Sequence, residues 1–370
     1  MTRLVSPLLI LLVLLTGCDD PAGPNVEPSA TPGDVRPTSA ELGIIAALPA
    51  NRATRLTVDR DGRPYWTQPD PEREAIVFTL DERGLPRPTA LNASFVLQSI
   101  NARDGNGQFV SLLGDDSGAI LFHFVGRQGL RPISVIGRYR PLVGEISLVA
   151  DTVTLQTVTT LGPSLINARG ELLGSSSPML WLCTLDASML LTIDKVGVQV
   201  AVPRIEDDKG RPLGGEPGEW HAAADADNAL WLLDASEPRG TMPAPPRLLR
   251  IGRGGRVTRS VELPADGDYP ANPVFLPRPA HTLLLCAVER PTHRQPRLGS
   301  AAQPGQTIEF PALLLLDKNG LVPIARDRLR TPASLSPQAL RITSLCTNPR
   351  DGSLVAYDAA SGYLLRIVLK

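Results

Sequence analysis

Between Leu42 and Lys370 the apolar positions come in short runs broken by Gly, Asp, Asn or Pro, and no stretch carries a helical stripe of amphipathic length. This pattern predicts an all-β fold. One unit recurs: an apolar strand, a tight turn closing on glycine, and a second strand. Ile76–Gly84 is the first copy, followed by Ile120–Gly129, Leu190–Gly197, Leu248–Gly255 and Leu313–Gly320. The glycines stand where a type I turn with a bulge needs positive φ. A second kind of hairpin, pairing the two inner strands of each four-stranded unit, precedes it, which makes the glycine-closed hairpin the third-to-fourth one. Leu56–Trp66 turns on Asp61-Gly62, and the related segments are Val96–Leu113 around Asp104-Gly105, Ala222–Leu233 around Asp225–Asn228 and Leu345–Tyr357 around Asp351-Gly352. Residues 129–197 parse less regularly, with extra strand-like sequence at Ile146–Thr160, and predict an irregular third unit. A last first-type strand, Leu364–Val368, reaches the C-terminus without a partner, while Leu42–Leu48 is a second strand without a first.

A ring closed by the N-terminal strand pairs both orphans at once. A lone four-stranded sheet cannot bury both faces, and an open stack of sheets would leave two bare edges. Residues 42–370 are therefore expected to form a six-bladed β-propeller. Runs such as Thr57-Val58-Asp59-Arg60-Asp61-Gly62-Arg63-Pro64-Tyr65-Trp66 and Asn348-Pro349-Arg350-Asp351-Gly352-Ser353-Leu354-Val355-Ala356-Tyr357-Asp358 resemble those of NHL-type and gluconolactonase-type six-bladed propellers. The resemblance concerns architecture, and propellers host unrelated functions.

The first 41 residues follow another logic. Arg3 precedes an unbroken apolar run, Leu8–Leu15, and then Thr16-Gly17-Cys18. A membrane-spanning helix needs about 20 apolar residues, more than this run supplies. The segment closely resembles a bacterial lipoprotein signal. That resemblance implies removal of residues 1–17, diacylglycerol on the Cys18 sulfur and an N-acyl chain on its freed amine. One acyl chain holds only marginally at about 0.8 kcal/mol per buried CH₂, so two or more make the anchor stable. The expected location is the bacterial cell envelope, outside the cytoplasm, with inner or outer membrane left open. Residues 18–41 carry Pro21, Pro24, Pro28, Pro32 and Pro37 among small residues and read as a disordered, Pro-rich linker.

Composition narrows the chemistry. The chain has 37 Lys and Arg against 38 Asp and Glu, a net charge of −1 that becomes −2 once Arg3 leaves with the leader. No excess of positive charge recruits nucleic acid. Cys183, Cys286 and Cys346 sit in apolar runs and read as buried thiols. His123, His221, His281 and His293 lack zinc-ligand spacing, and no nucleophile elbow, P-loop or dinucleotide fingerprint occurs. The pairs Asp59 with Asp61 and Asp225 with Asp227 read as turn residues, because Asp caps its own turn before Gly or Asn.

Long connections at Glu206–Trp220, Asp234–Pro246, Ala265–Asn272 and Glu289–Pro311 are expected on the rim opposite the short Asp59–Gly62 turn. The candidate contact residues there are Asp207, Asp208, Glu219, Trp220, His221, Asp268, Tyr269 and Asn272. They support two readings. In the first, a membrane-tethered module binds an envelope protein, peptide or glycan and needs no cofactor. In the second, resemblance to gluconolactonases implies a divalent cation in the channel and lactonase- or esterase-type hydrolysis. Glu219 and Asn272 would be its ligands, with Asn92 and His221 converging on them. Gly215-Glu216-Pro217-Gly218-Glu219-Trp220 departs from the gluconolactonase motif in order and position, and Arg52, Arg55 and Arg341 would repel a cation.

Overall fold

A computed structural model of the protein describes residues 36–48, 55–68, 75–114, 117–150, 165–167, 180–183, 190–194, 197–202, 205–207, 209–210, 220–224, 230–234, 247–252, 255–263, 269–275, 283–288, 313–317 and 320–370. After β1 (Ala40–Ala47) the chain runs through five four-stranded meanders. The first is β2 (Arg55–Val58), β3 (Pro64–Thr67), β4 (Ile76–Leu80) and β5 (Pro86–Asn92), and a short helix α1 (Ala93–Ser99) leads out of it. Next come β6 (Asn106–Gly114), β7 (Ile120–Gln128), β8 (Arg131–Arg140) and β9 (Glu145–Ala150), then β10 (Leu165–Asn167), β11 (Leu180–Cys183), β12 (Leu190–Asp194) and β13 (Gly197–Val202). The fourth meander is β14 (Trp220–Ala224), β15 (Leu230–Asp234), β16 (Arg247–Ile251) and β17 (Val257–Glu262), and the fifth is β18 (Tyr269–Phe275), β19 (Leu283–Val288), β20 (Leu313–Asp317) and β21 (Gly320–Ile324). The last strands, β22 (Leu329–Arg330), β23 (Ile342–Thr347), β24 (Leu354–Asp358) and β25 (Tyr363–Leu369), join β1 in a five-stranded sheet ordered β22-β1-β25-β24-β23.

Among the described residues there are thus six sheets. Their innermost strands touch in cyclic order: β2 against β6, β6 against β10, β10 against β14, β14 against β18, β18 against β23, and β23 against β2. This is a β-propeller, closed where the hydrophobic pattern places the closure. β1 lies antiparallel to β25, from Ala40 opposite Leu369 to Ala47 opposite Tyr363. The Thr38 and Ser39 amides donate to the Lys370 carbonyl at 2.8 and 3.0 Å, and Lys370 pairs with Glu41. Ala40, Leu42, Leu365 and Ile367 are buried in that seam.

Between sheets the core is apolar and closely packed. Tyr65, Val77 and Leu91 of the first meander share a cluster with Phe109, Phe122 and Phe124 of the second. Phe109 meets both neighbouring rings edge-on, with centroids 5.7 and 5.3 Å away. On its other side the first meander buries Trp66 against Val355, Tyr357 and Leu364. Gly114 lets β6 approach β2: a Cβ there would lie 1.7 Å from the Val58 carbonyl oxygen, and its amide donates to Thr57 Oγ1 at 2.8 Å.

The structure corrects three sequence expectations. Val96–Leu113 is not an inner hairpin, since Val96 and Leu97 lie in α1 and only Asn106–Gly114 is the innermost strand. Ile120–Gly129 is not a third-to-fourth hairpin but β7 and its turn into β8, so the irregular third unit divides differently, with Ile146 in the fourth strand of the second meander. Asn92 does not approach the channel. It ends the outermost β5 and caps α1, its Oδ1 accepting the Phe95 amide at 2.7 Å. At seven residues, α1 is too short to display a helical stripe in the sequence. No helix among the described residues is long and apolar enough to cross a membrane.

Candidate functional site

Alternating strand direction gives each meander two distinct ends. First-to-second and third-to-fourth connections share one end, and second-to-third and sheet-to-sheet connections share the other. The short-turn end is largely self-satisfied. Asp59 Oδ1 accepts the Asp61 and Arg63 amides at 3.0 and 2.9 Å, and Oδ2 accepts the Tyr65 hydroxyl at 3.2 Å. Burial raises the Asp59 carboxyl above its usual range, and it drives the Tyr65 phenol upward as well. Gly62, at φ +79°, turns the hairpin, and a Cβ there would lie 2.9 Å from Asn348 Oδ1. Neighbouring sheets therefore interlock turn against turn. The Asp59–Asp61 pair is turn chemistry, as its spacing before glycine suggests.

At this same end Arg63, Leu80, Asp81, Glu82, Arg83 and Arg87 line an open cleft of about 390 Å³ that the sequence reading missed. Its guanidinium groups come from two separate turns, so no local motif announces it. Asp81 is committed to its own turn, with Oδ1 accepting the Arg83 and Leu85 amides at 2.8 Å each. His123 is structural. It is fully buried between Phe122 and Phe124, Nε2 lies 3.0 Å from Ser134 Oγ, and desolvation lowers its pKa to about 4. Cys346 is a free thiol whose pKa burial raises, an unreactive setting.

The opposite end receives the long connections. The chain leaves the outer strand β13 and returns at the start of innermost β14, then leaves β17 and returns at the start of β18. Trp220 and His221 open β14, opposite Asp234 and Leu233. Tyr269 opens β18 opposite Val288, and Asn272 falls in the irregularity between Ala271 and Val274. Because β14 and β18 are neighbours around the channel, the fold brings the backbone positions of Trp220, His221 and Tyr269 to one end of adjacent innermost strands, with Asn272 midway along β18. Asp207 stands apart from them: its Oδ1 accepts the Lys209 amide at 2.9 Å, and the adjoining Glu206 bridges to Arg256 beside the outermost β17. Cys18, Asp208, Glu219 and Asp268 lie outside the described residues. Arg55 opens innermost β2 at this end, and Arg341 just precedes β23, its amide donating to Asp358 Oδ1 at 2.6 Å. Among the described residues, no three His, Cys, Asp or Glu side chains gather in a way that could hold a metal ion.

No family model and no curated protein matches this chain. Its fold is similar to solved structures at very low identity. An auxiliary nutrient binding protein from Bacteroides ovatus aligns with a TM-score of 0.52 and 8% identity over 90% of this chain and 77% of its own. A second auxiliary nutrient binding protein, from Bacteroides thetaiotaomicron, aligns with a TM-score of 0.50 and 9% identity over 86% of this chain and 69% of its own. At such identity the likeness establishes the fold, a β-propeller.

Proposed function

We propose that this chain is a lipid-anchored envelope protein whose six sheets are the blades of a six-bladed propeller serving as a binding module. The ligand, a protein, peptide or glycan, is taken at the end where β14 and β18 begin. The observation that carries this reading is that Trp220, His221 and Tyr269 open adjacent innermost strands at the end opposite the start of β1, with Asn272 farther along β18. A chain tethered through Cys18 joins the ring at β1, so its point of attachment lies at the end away from the long-connection rim and leaves that rim open to a partner. The two Bacteroides proteins of similar fold are auxiliary nutrient binding proteins, a role compatible with a binding module on this architecture. Rigid rims with long connections are where propellers place recognition, and an aromatic such as Trp220 is a fitting anchor for it.

The test is cross-linking and co-purification from the native envelope. Trp220→Ala with Tyr269→Ala, or deletion of residues 211–218, is expected to release the bound partner, with each aromatic truncation weakening binding by about tenfold or more where the residue is an anchor. Retention of every partner by both variants would sink the rim as the binding surface. Mass spectrometry of the N-terminal peptide checks the anchor: a mature chain beginning at Cys18 and carrying two or more acyl chains is expected.

A further inference from the structure

We propose that the short-turn end of the ring is itself a membrane-docking face, with an anionic bilayer as its occupant. The inference rests on the lipid-anchored reading above, and three observations converge on it. First, β1, the strand through which the tether would join the ring, starts at this end: Ala40 opens it opposite Leu369 at the end of β25, and Arg36 Nη2 donates to the carbonyl of Gly320, which opens β21 after a third-to-fourth turn. Second, the turns at this end carry apolar side chains into solvent. Leu142 and Val143, at the tip between β8 and β9, are 94% and 69% exposed, and Leu85, between β4 and β5 in the adjoining meander, is 56% exposed. Third, Leu85 stands beside the cleft, where Arg63, Arg83 and Arg87 outnumber the two acidic lining residues, Asp81, whose Oδ1 is held by its own turn, and Glu82. Among the described residues, no carboxylate forms an ion pair with any of these three guanidinium groups.

The chemistry is that of an interfacial surface. Guanidinium groups bind phosphate oxygens bidentately, and each arginine held at an anionic leaflet contributes about 1 kcal/mol, or about fivefold in affinity. Leucine and valine tips gain by leaving water for the acyl boundary. Among the described residues, Leu142 and Val143 belong to no core cluster, and the Arg140–Glu145 pair closes the base of their turn at 3.4 Å. Pro-rich linkers reach about 3.1 Å per residue, so the tether sets the outer limit of the domain's distance from the membrane and docking takes up the slack.

The experiment is hydrogen exchange on the full lipidated chain in nanodiscs, comparing pure phosphatidylcholine with a mixture containing phosphatidylglycerol. Amides of residues 81–87 and 140–145 are expected to exchange at least about tenfold more slowly on the anionic discs, while those of β14 and β18 do not change. Arg83→Glu with Arg87→Glu, both at exposed positions, should abolish that slowing, and Leu142→Ser with Val143→Ser should reduce it. Equal exchange on both discs in an anchored chain overturns the proposal. So does slowing that persists in the arginine variant, or slowing that appears in detergent with inorganic phosphate alone, which would mark a soluble-anion site. Lipidation is read separately from the mass of the Cys18 peptide, so loss of the anchor and loss of docking are distinguishable.

Discussion

Single side chains in this ring show how burial redirects familiar chemistry. His123 ionises near 6.5 when exposed, but in the folded chain its pKa falls to about 4 because no water reaches the ring. Between those two values the unfolded chain binds a proton that the folded chain refuses, so stability falls as pH drops from about 6.5 to about 4 and levels off below. The full effect is of order 3 kcal/mol. Urea midpoints measured across this window should trace the decline, and His123→Gln should flatten it. If the variant keeps the same slope, another group is responsible. Asp59 offers a second contrast at the residue scale. Its carboxylate is desolvated, yet Oδ1 alone caps the turn. Asp59→Asn retains that acceptor and is expected to cost less than about 1 kcal/mol, whereas Asp59→Ala strands two turn amides and the Tyr65 hydroxyl and should cost about 2–3 kcal/mol by denaturant unfolding. Equal losses in the two variants would show that charge rather than acceptor geometry matters there.

Whole elements are held together by close approach as much as by apolar area. β6 reaches β2 only because Gly114 has no side chain, so Gly114→Ala must push the two innermost strands apart. Overpacking of this kind costs about 1–3 kcal/mol, and a clash with backbone lies at the upper end because no rotamer relieves it. Thermal unfolding of that variant should show the loss, and an unchanged midpoint would mean that the strands separate freely. Element type was legible in the sequence wherever the pattern was long or ended on a positive-φ glycine: β4–β5, β16–β17 and β20–β21 stand where their runs place them, with Gly84, Gly255 and Gly320 at positive φ. It was not legible across Asn92–Gly105. Helix α1 is only seven residues long, its cap is one asparagine, and Asp104-Gly105 imitates a hairpin while actually leading from helix to strand. Misreading α1 displaced the next meander by one strand.

At the scale of the molecule, closure is the organising event. β1 is far from β25 in sequence and pairs along its whole length, so the ring forms only when both termini are in place. Removal of residues 36–48 exposes the β25 edge and empties the places of Ala40, Leu42, Ala46 and Leu48 in the core. Such a truncated chain is expected to lose its single cooperative unfolding transition, and a synthetic peptide of residues 36–48 should restore it. Cooperative unfolding of the truncated chain without the peptide would refute this dependence. By itself the sequence determined the all-β class, the recurring hairpins, the pairing of the chain's two ends and the expectation of a lipid-bearing Cys18, because periodicity, turn glycines and leader composition are local properties. Only the tertiary structure decided that Asn106–Gly114 is the innermost strand of the second meander, that Trp220 and Tyr269 open neighbouring strands, that Asp207 stands apart, and that Arg63, Arg83 and Arg87 share one cleft. Those facts depend on which distant segments the ring brings side by side, and no local pattern encodes proximity between turns that meet only after the circle has closed.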